Sequence, residues 1–258
     1  MWHAKRAASE LGPPLVGVAG AIAVWAVVAA IWPHLLPSPL RALDALARGI
    51  RDGTIPEAAG KTLIRLAFSF VVAIAIGTAI GSALALNEFA RRSVRPLIVA
   101  LQIVPPIAWL PLAIVWFGLS ERAVVFVAMV GAFPSVTLAT VSSFRQVPPT
   151  LIRAGRTLGA KGWELYRSVI FPAALPGYVA GLQQAWGFAW KSLLAGELIT
   201  AGVRATGLGQ LLARTQQDVP ELLAVVAVIA LIGVAVDYLI FSLLDRRVRA
   251  KRGLLAEG

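Results

Sequence analysis

Three ionisable side chains stand inside otherwise apolar stretches of this chain: Lys191 and Glu197 in the run 169–200, and Asp237 in the run 219–245. An ionised group at mid-bilayer costs about 2.5–3.5 kcal/mol on insertion scales, so such residues face a cavity or a partner. Lys191 is either an anion contact in a polar path or a lysine that snorkels or pairs structurally. Glu197, beside Gly196, either lines such a path or holds Arg204 or Lys61, and Asp237 reads as structural. Lys191 and Glu197 lie about 240° apart around an ideal helix, so they do not share a face. Gln102 and Gln184, with Trp109, are further candidates for the path. The alternatives are hydrogen bonding between helices for Gln102, Gln183 and Gln184, and packing for Trp109, Trp116, Trp186 and Trp190.

None of this is bond-breaking chemistry. The sequence has no Gly-x-x-x-x-Gly-Lys-Ser/Thr loop, so it is not expected to hydrolyse nucleotide itself. His-Glu-x-x-His, Gly-x-Ser-x-Gly and paired intramembrane aspartates are absent too. There are no cysteines and only two histidines, His3 and His34, too few and too terminal for a metal site or an acid–base pair. No catalytic residue, no metal site and no cofactor of its own are expected.

The elements that must position these residues are membrane helices. Of 258 residues 58% are apolar and only 14% charged, against about 25% charged in soluble domains, and the mean hydropathy is +0.78. A span needs about 20 apolar residues, so the length suits about six: 13–33, 62–87, 94–119, 122–144, 169–200 and 219–245. The expected fold is an all-α membrane protein forming one transmembrane domain over 1–258, in contact with lipid. The first span exceeds a signal-peptide core in length and reads as uncleaved. With the N-terminus in the cytoplasm, 15 lysines and arginines fall inside and 8 outside. The positive-inside rule therefore places both termini in the cytoplasm. It also reads the net charge of +11 as basic loops and not as a nucleic-acid surface.

Between the spans, 39–53 places Leu40, Leu43, Leu46, Ala47 and Ile50 at helical spacing, an amphipathic helix expected on the outer surface. Pro105, Pro106 and Pro111 interrupt the third span, where freed carbonyls are tolerated only if buried or beside a cavity. Gly77 and Gly81 form a Gly-x-x-x-Gly pair suited to close helix packing. The longest polar interruption, 145–167, opens on Pro148-Pro149-Thr150. It then runs helically through Leu151, Ala154 and Leu158 to the breakers Gly159 and Gly162. A short helix that crosses nothing needs something else to bind.

The segment Arg153-Ala154-Gly155, three residues, Gly159, nine residues, Val169-Ile170-Phe171-Pro172 resembles the cytoplasmic Glu-Ala-Ala loop of ATP-binding-cassette importer permeases. That pattern is Glu-Ala-Ala-x3-Gly-x9-Ile-x-Leu-Pro. Its spacing is kept, as are Ala154, Gly159 and Pro172; Arg153 stands where the family has Glu, Gly155 where it has Ala, and Phe171 where it has Leu. Leu36-Pro37-Ser38-Pro39, Thr62-Leu63-Ile64-Arg65, Trp116-Phe117-Gly118, Pro105, Pro111 and Phe171-Pro172-Ala173-Ala174-Leu175-Pro176-Gly177 are similar to one branch, the nitrate, taurine, alkanesulfonate and bicarbonate permeases. Glu197 resembles an acidic position of that branch. The resemblance covers roughly 35–250.

What the resemblance implies is a type I permease working by alternating access in an inner membrane. Its partners would be a second permease copy, two cytoplasmic ATP-binding subunits that hold ATP and magnesium, and an extracytoplasmic solute-binding protein. The cargo would be a small solute, an organic sulfonate or related oxyanion first. Arg153, Ala154, Gly155, Leu158, Gly159 and Pro172, within 148–165 and at the start of the next span, would couple to the ATPase, with Ala154 and Gly155 on the contact face. The rival class is a self-sufficient secondary transporter or channel, which often shows inverted repeats; no convincing internal repeat is visible.

Overall fold

The computed structural model describes residues 2–200 and 206–250, and among these every regular element is a helix. Helix α1 (Trp2–Ile31) leads to α2 (Pro39–Arg51), whose Pro39 occupies the first turn, where its missing N–H is no loss. The chain turns from α2 into α3 (Thr54–Leu86) at Gly53, with φ +76, a left-handed conformation that a glycine adopts without strain. The amphipathic α2 packs Ala42 and Ala45 inward and leaves Leu40, Leu43 and Ile50 exposed, an apolar strip suited to a membrane interface.

Asn87 caps α4 (Glu88–Ile103), its side chain accepting from the Ala90 N–H at 3.0 Å. Pro105 and Pro106 then break the helix. A single 3₁₀ turn, Pro106–Trp109, leads into α5 (Leu110–Phe117), and the two halves are bent by 95°. Helix α6 (Glu121–Arg145) returns. The interruption after it holds α7 (Pro149–Thr157) and α8 (Gly162–Leu165), and a π-helical turn, Tyr166–Ile170, feeds into α9 (Phe171–Ile199). After α9 come α10 (Leu208–Arg214) and α11 (Val219–Val236), then a second π-turn, Asp237–Ser242, and α12 (Leu243–Ala250).

Among the described residues, three helices are long and apolar enough to cross a membrane, Thr54–Leu86, Glu121–Arg145 and Val219–Val248, and the bent pair α4–α5 makes a fourth if its two halves form one broken span. Val16–Ile31 is a shorter apolar helix, and α9, 29 residues long, carries Lys191 and Glu197. The apolar window of α6 is 67% buried and that of α11–α12 only 11%. Helix α6 is therefore the axis of the fold, and α11–α12 leaves most of its apolar window uncovered by the rest of the chain.

Small residues hold the neighbours against α6. A Cβ on Gly77 of α3 would stand 2.7 Å from the Val136 Cβ, one on Gly81 2.5 Å from the Thr140 Cβ, and one on Gly181 of α9 2.2 Å from the Ala139 Cβ. Without a hydrophobic drive between helices in lipid, this close backbone approach supplies the packing energy. The core fills with Leu66, Phe70 and Ala73 from α3, Val124, Ala128, Ala132 and Val136 from α6, and Ala185, Ala189 and Leu193 from α9. One end of the molecule carries α7, Glu88 and Arg145; the other carries α2, Glu121, Thr200 and α10.

Candidate functional site

A cavity of about 930 Å³ lies between α4, α6 and α9. At the α7 end its wall is Arg91, Arg95, Arg145 and Gln146; further along it is Gln102, Ser135 and Gln184. Arg91, Arg95 and Gln102 share one face of α4, and Arg95 and Gln102 are about 10 Å apart along the axis. Gln102 donates to the Ser135 hydroxyl at 2.9 Å, tying α4 to α6 while its side chain still lines the space. On α9, Gly177, Ala180, Gln184 and Lys191 are exposed at intervals of three, four and seven residues, a single stripe. Lys191 therefore continues the cavity face about 10 Å beyond Gln184. Its side chain finds no ion-pair or hydrogen-bond partner among the described residues.

Among the described residues, one carboxylate binds the rim arginines. Glu88 pairs with Arg91, with the Arg92 Nε at 2.8 Å and with the Arg145 Nη1 at 3.0 Å, so it bridges the start of α4 to the end of α6. Arg95 is exposed and has no such partner among the described residues.

Glu197 does not belong to this cavity. It is fully buried and bound from three sides at the opposite end of the molecule. The Arg65 Nη1 donates to its Oε1 at 2.7 Å, the Thr62 hydroxyl reaches both its oxygens at 2.9–3.0 Å, and the Gly209 N–H donates to its Oε2 at 3.0 Å. The Thr62 oxygen in turn accepts from the Leu208 N–H at 2.8 Å, and Arg65 uses its other terminal nitrogen on Glu121 at 2.7 Å. A Cβ on Gly207 would stand 2.3 Å from the Glu197 Oε1, so only glycine fits where α10 begins. The network joins α3, α6, α9 and the start of α10. The partner is thus Arg65, not Lys61, which binds Glu57 and Thr206; Arg204 lies outside the described residues.

Other expected polar groups serve contacts between helices. Gln183 donates to Asp237 at 2.8 Å, linking α9 to the π-turn after α11. Trp109 stays outside the cavity wall; its indole Nε1 is buried without an acceptor.

Helix α7 ends at Gly159, whose φ of +95 suits glycine and strains any other residue. Leu151, Arg153, Ala154 and Leu158 are exposed, Leu158 to 89%. Gly155 departs from the expected contact face. It is buried against its own chain, where a Cβ would meet Val169 at 2.8 Å and Leu165 at 3.0 Å. The π-turn folds back beside α7, so the small residue permits an internal approach. Pro172 sits in the first turn of α9 and is half-buried.

Arg91, Arg95 and Arg145 are not singled out by any motif in the sequence; the signal that finds the first two is the spacing of Arg91, Arg95 and Gln102 on one helical face. Arg65 ends the Thr62–Arg65 motif, but nothing in the sequence pairs it with Glu121 or Glu197.

A model of the family described as binding-protein-dependent transport system inner membrane component matches residues 73–250. The taurine transport system permease protein TauC of Escherichia coli is 32% identical over 237 residues, which cover 89% of this chain and 83% of TauC. The bicarbonate transport system permease protein CmpB of Synechococcus elongatus is 28% identical, with 87% of this chain and 84% of CmpB covered. Among solved structures, an inward-facing conformation of the MetNI methionine ABC transporter superposes with a TM-score of 0.57 at 25% identity, covering 73% of this chain and 92% of that one.

Proposed function

Because the chain belongs to the family of binding-protein-dependent transport system inner membrane components, and is thus a multi-pass permease subunit of an ABC importer, we propose that it moves a small organic sulfonate or related oxyanion into the cytoplasm by alternating access. It works as a pair of identical permeases with two ATP-binding subunits on the α7 side and a solute-binding protein on the α10 side. Both termini then lie in the cytoplasm. The chain itself breaks no bond; hydrolysis of magnesium-bound ATP belongs to the partner subunits.

The observation that carries this reading is α7. It projects Leu151, Ala154 and Leu158 without cover, at the end where the cavity opens between α4, α6 and α9. Exposed apolar side chains on a short polar helix are what a groove in a partner would take up. Force on α7 passes through Gly155 to the π-turn and so to α9, which walls the cavity. The oxyanion cargo rests on the names of the taurine and bicarbonate relatives and on the basic wall of the cavity.

The test is reconstitution. Proteoliposomes holding the permease with its ATPase subunits and binding protein should accumulate solute only when ATP is supplied on the α7 side. Uptake by the permease alone, driven by an ion gradient, would contradict the proposal.

A further inference from the structure

Resting on the importer reading, we infer that the cavity between α4, α6 and α9 is an oxyanion site on the discharge side of the path, in which Arg95 and Arg145 hold the anion before release. Gln102, Ser135 and Gln184 form its hydrogen-bonding inner wall, and Lys191 continues the same stripe outward.

The sign of the charge is the first argument. The wall contains three arginines and no carboxylate. Glu88, at the rim, is committed to Arg91, Arg92 and Arg145. Arg145 gives that carboxylate one of its five N–H donors, and Arg95 gives it none. Guanidinium groups match planar or tetrahedral oxyanions through paired N–H donors. A cleft with low-dielectric walls and charge of one sign concentrates the opposite ion.

The neutral part of the wall is the second argument. Beyond the arginines it offers amides and hydroxyls from Gln102, Ser135, Ser142, Ser143 and Gln184, interspersed with small and apolar groups such as Ala139 and Leu138. Those polar groups solvate a small polar solute. A lipid tail would need a continuous apolar wall, and here the arginines, amides and hydroxyls interrupt it. The size, about 930 Å³, lies in the range of about 300–1,000 Å³ usual for ligand sites, so the anion enters with water around it.

The third argument is continuity. Lys191 lies within about 20° of Gln184 around α9, exposed and without a partner among the described residues. Arg95 on α4 and Lys191 on α9, two cations without a partner among the described residues and separated by hydrogen-bonding groups, make a track for an anion and a barrier for a cation.

The experiment uses the permease–ATPase complex without nucleotide, in nanodiscs of neutral phosphatidylcholine, and measures radiolabelled methanesulfonate by equilibrium dialysis. Saturable binding is expected, weakened by added salt and competed by nitrate or bicarbonate. Arg95→Gln and Arg145→Gln should each weaken it about tenfold, the scale of one charge-assisted hydrogen bond, and Arg95→Lys should retain most of it. Absence of binding by the unaltered complex, or equal binding by the Arg95→Gln/Arg145→Gln double variant, would overturn the inference. So would a site filled only by labelled phosphatidylglycerol, which would make it a lipid headgroup site. In each of these cases an ATPase that still co-purifies and responds to solute leaves the importer reading standing, whereas loss of that association sinks the importer reading itself.

Discussion

Glu197 and Lys191 show how differently two charges on one helix can be used. Glu197 accepts from three donors at the α10 end of the core, so removing its charge leaves the buried Arg65 with only the exposed Glu121 as counter-charge. Breaking a buried pair from one side costs about 3–5 kcal/mol. Glu197→Ala should therefore lower the thermal stability of the detergent-purified protein by many degrees. Arg65→Met combined with Glu197→Leu should recover part of the loss, because neither charge is then stranded. An unchanged melting profile in Glu197→Ala would show that the network holds nothing together. Lys191 has no such partner among the described residues. Lys191→Gln should keep the wild-type melting temperature yet slow solute uptake, and uptake at the normal rate would remove it from the path. The sequence makes both residues conspicuous, since each interrupts an apolar run. It does not disclose their partners, because Arg65 lies 132 positions from Glu197 and pairing at that range depends on helix rotation.

At the scale of elements, spacing and special residues carry most of what can be read in advance. Gly77 and Gly81 mark the α3–α6 contact, and the prolines mark the 95° break in the third span. Gly81→Leu should push α3 away from the Thr140 side chain and the Thr137 carbonyl and cut yield and stability, measurable by size-exclusion profile after solubilisation; a normal profile would contradict the packing described. Helix α7 is harder to read. Its nine residues and the Leu158 that follows them show the apolar spacing of Leu151, Ala154 and Leu158 but not which side packs inward, because that inner side is set by the π-turn that folds back against it. That is why Gly155 turns toward Val169 and not outward. Two variants separate the faces. Gly155→Trp should disturb the permease itself, lowering its stability. Leu158→Asp, on a side chain exposed to 89%, should leave the fold intact and weaken only attachment of the ATPase. If Gly155→Trp is as stable as wild type, the internal contact is not where the structure puts it.

For the molecule as a whole, composition already separates a membrane bundle from a soluble domain, and the structure adds which helix is the axis. Helix α6 is enclosed, α11–α12 lies at the periphery with its apolar window largely exposed, and the cavity and α7 share one end. On the proposed orientation, which follows the basic-residue bias, that end faces the cytoplasm. Since the chain has no cysteine of its own, single cysteines read the orientation directly. Ser93→Cys and Thr150→Cys, both exposed, should be shielded from impermeant thiol reagents in intact cells, and Asp52→Cys should be labelled. The reverse pattern would invert the molecule and detach α7 from any cytoplasmic partner.

Coupling of this permease to an ATPase through the exposed face of α7 is read by a pull-down of the ATP-binding subunit, with solute-stimulated ATP hydrolysis in the reconstituted complex, for the wild type, Leu158→Asp and Gly159→Val. Both variants should reach the membrane in normal amounts but lose the subunit or lose solute-stimulated hydrolysis. Wild-type binding and stimulation in both would show that α7 is a loop like any other and rule out its coupling role.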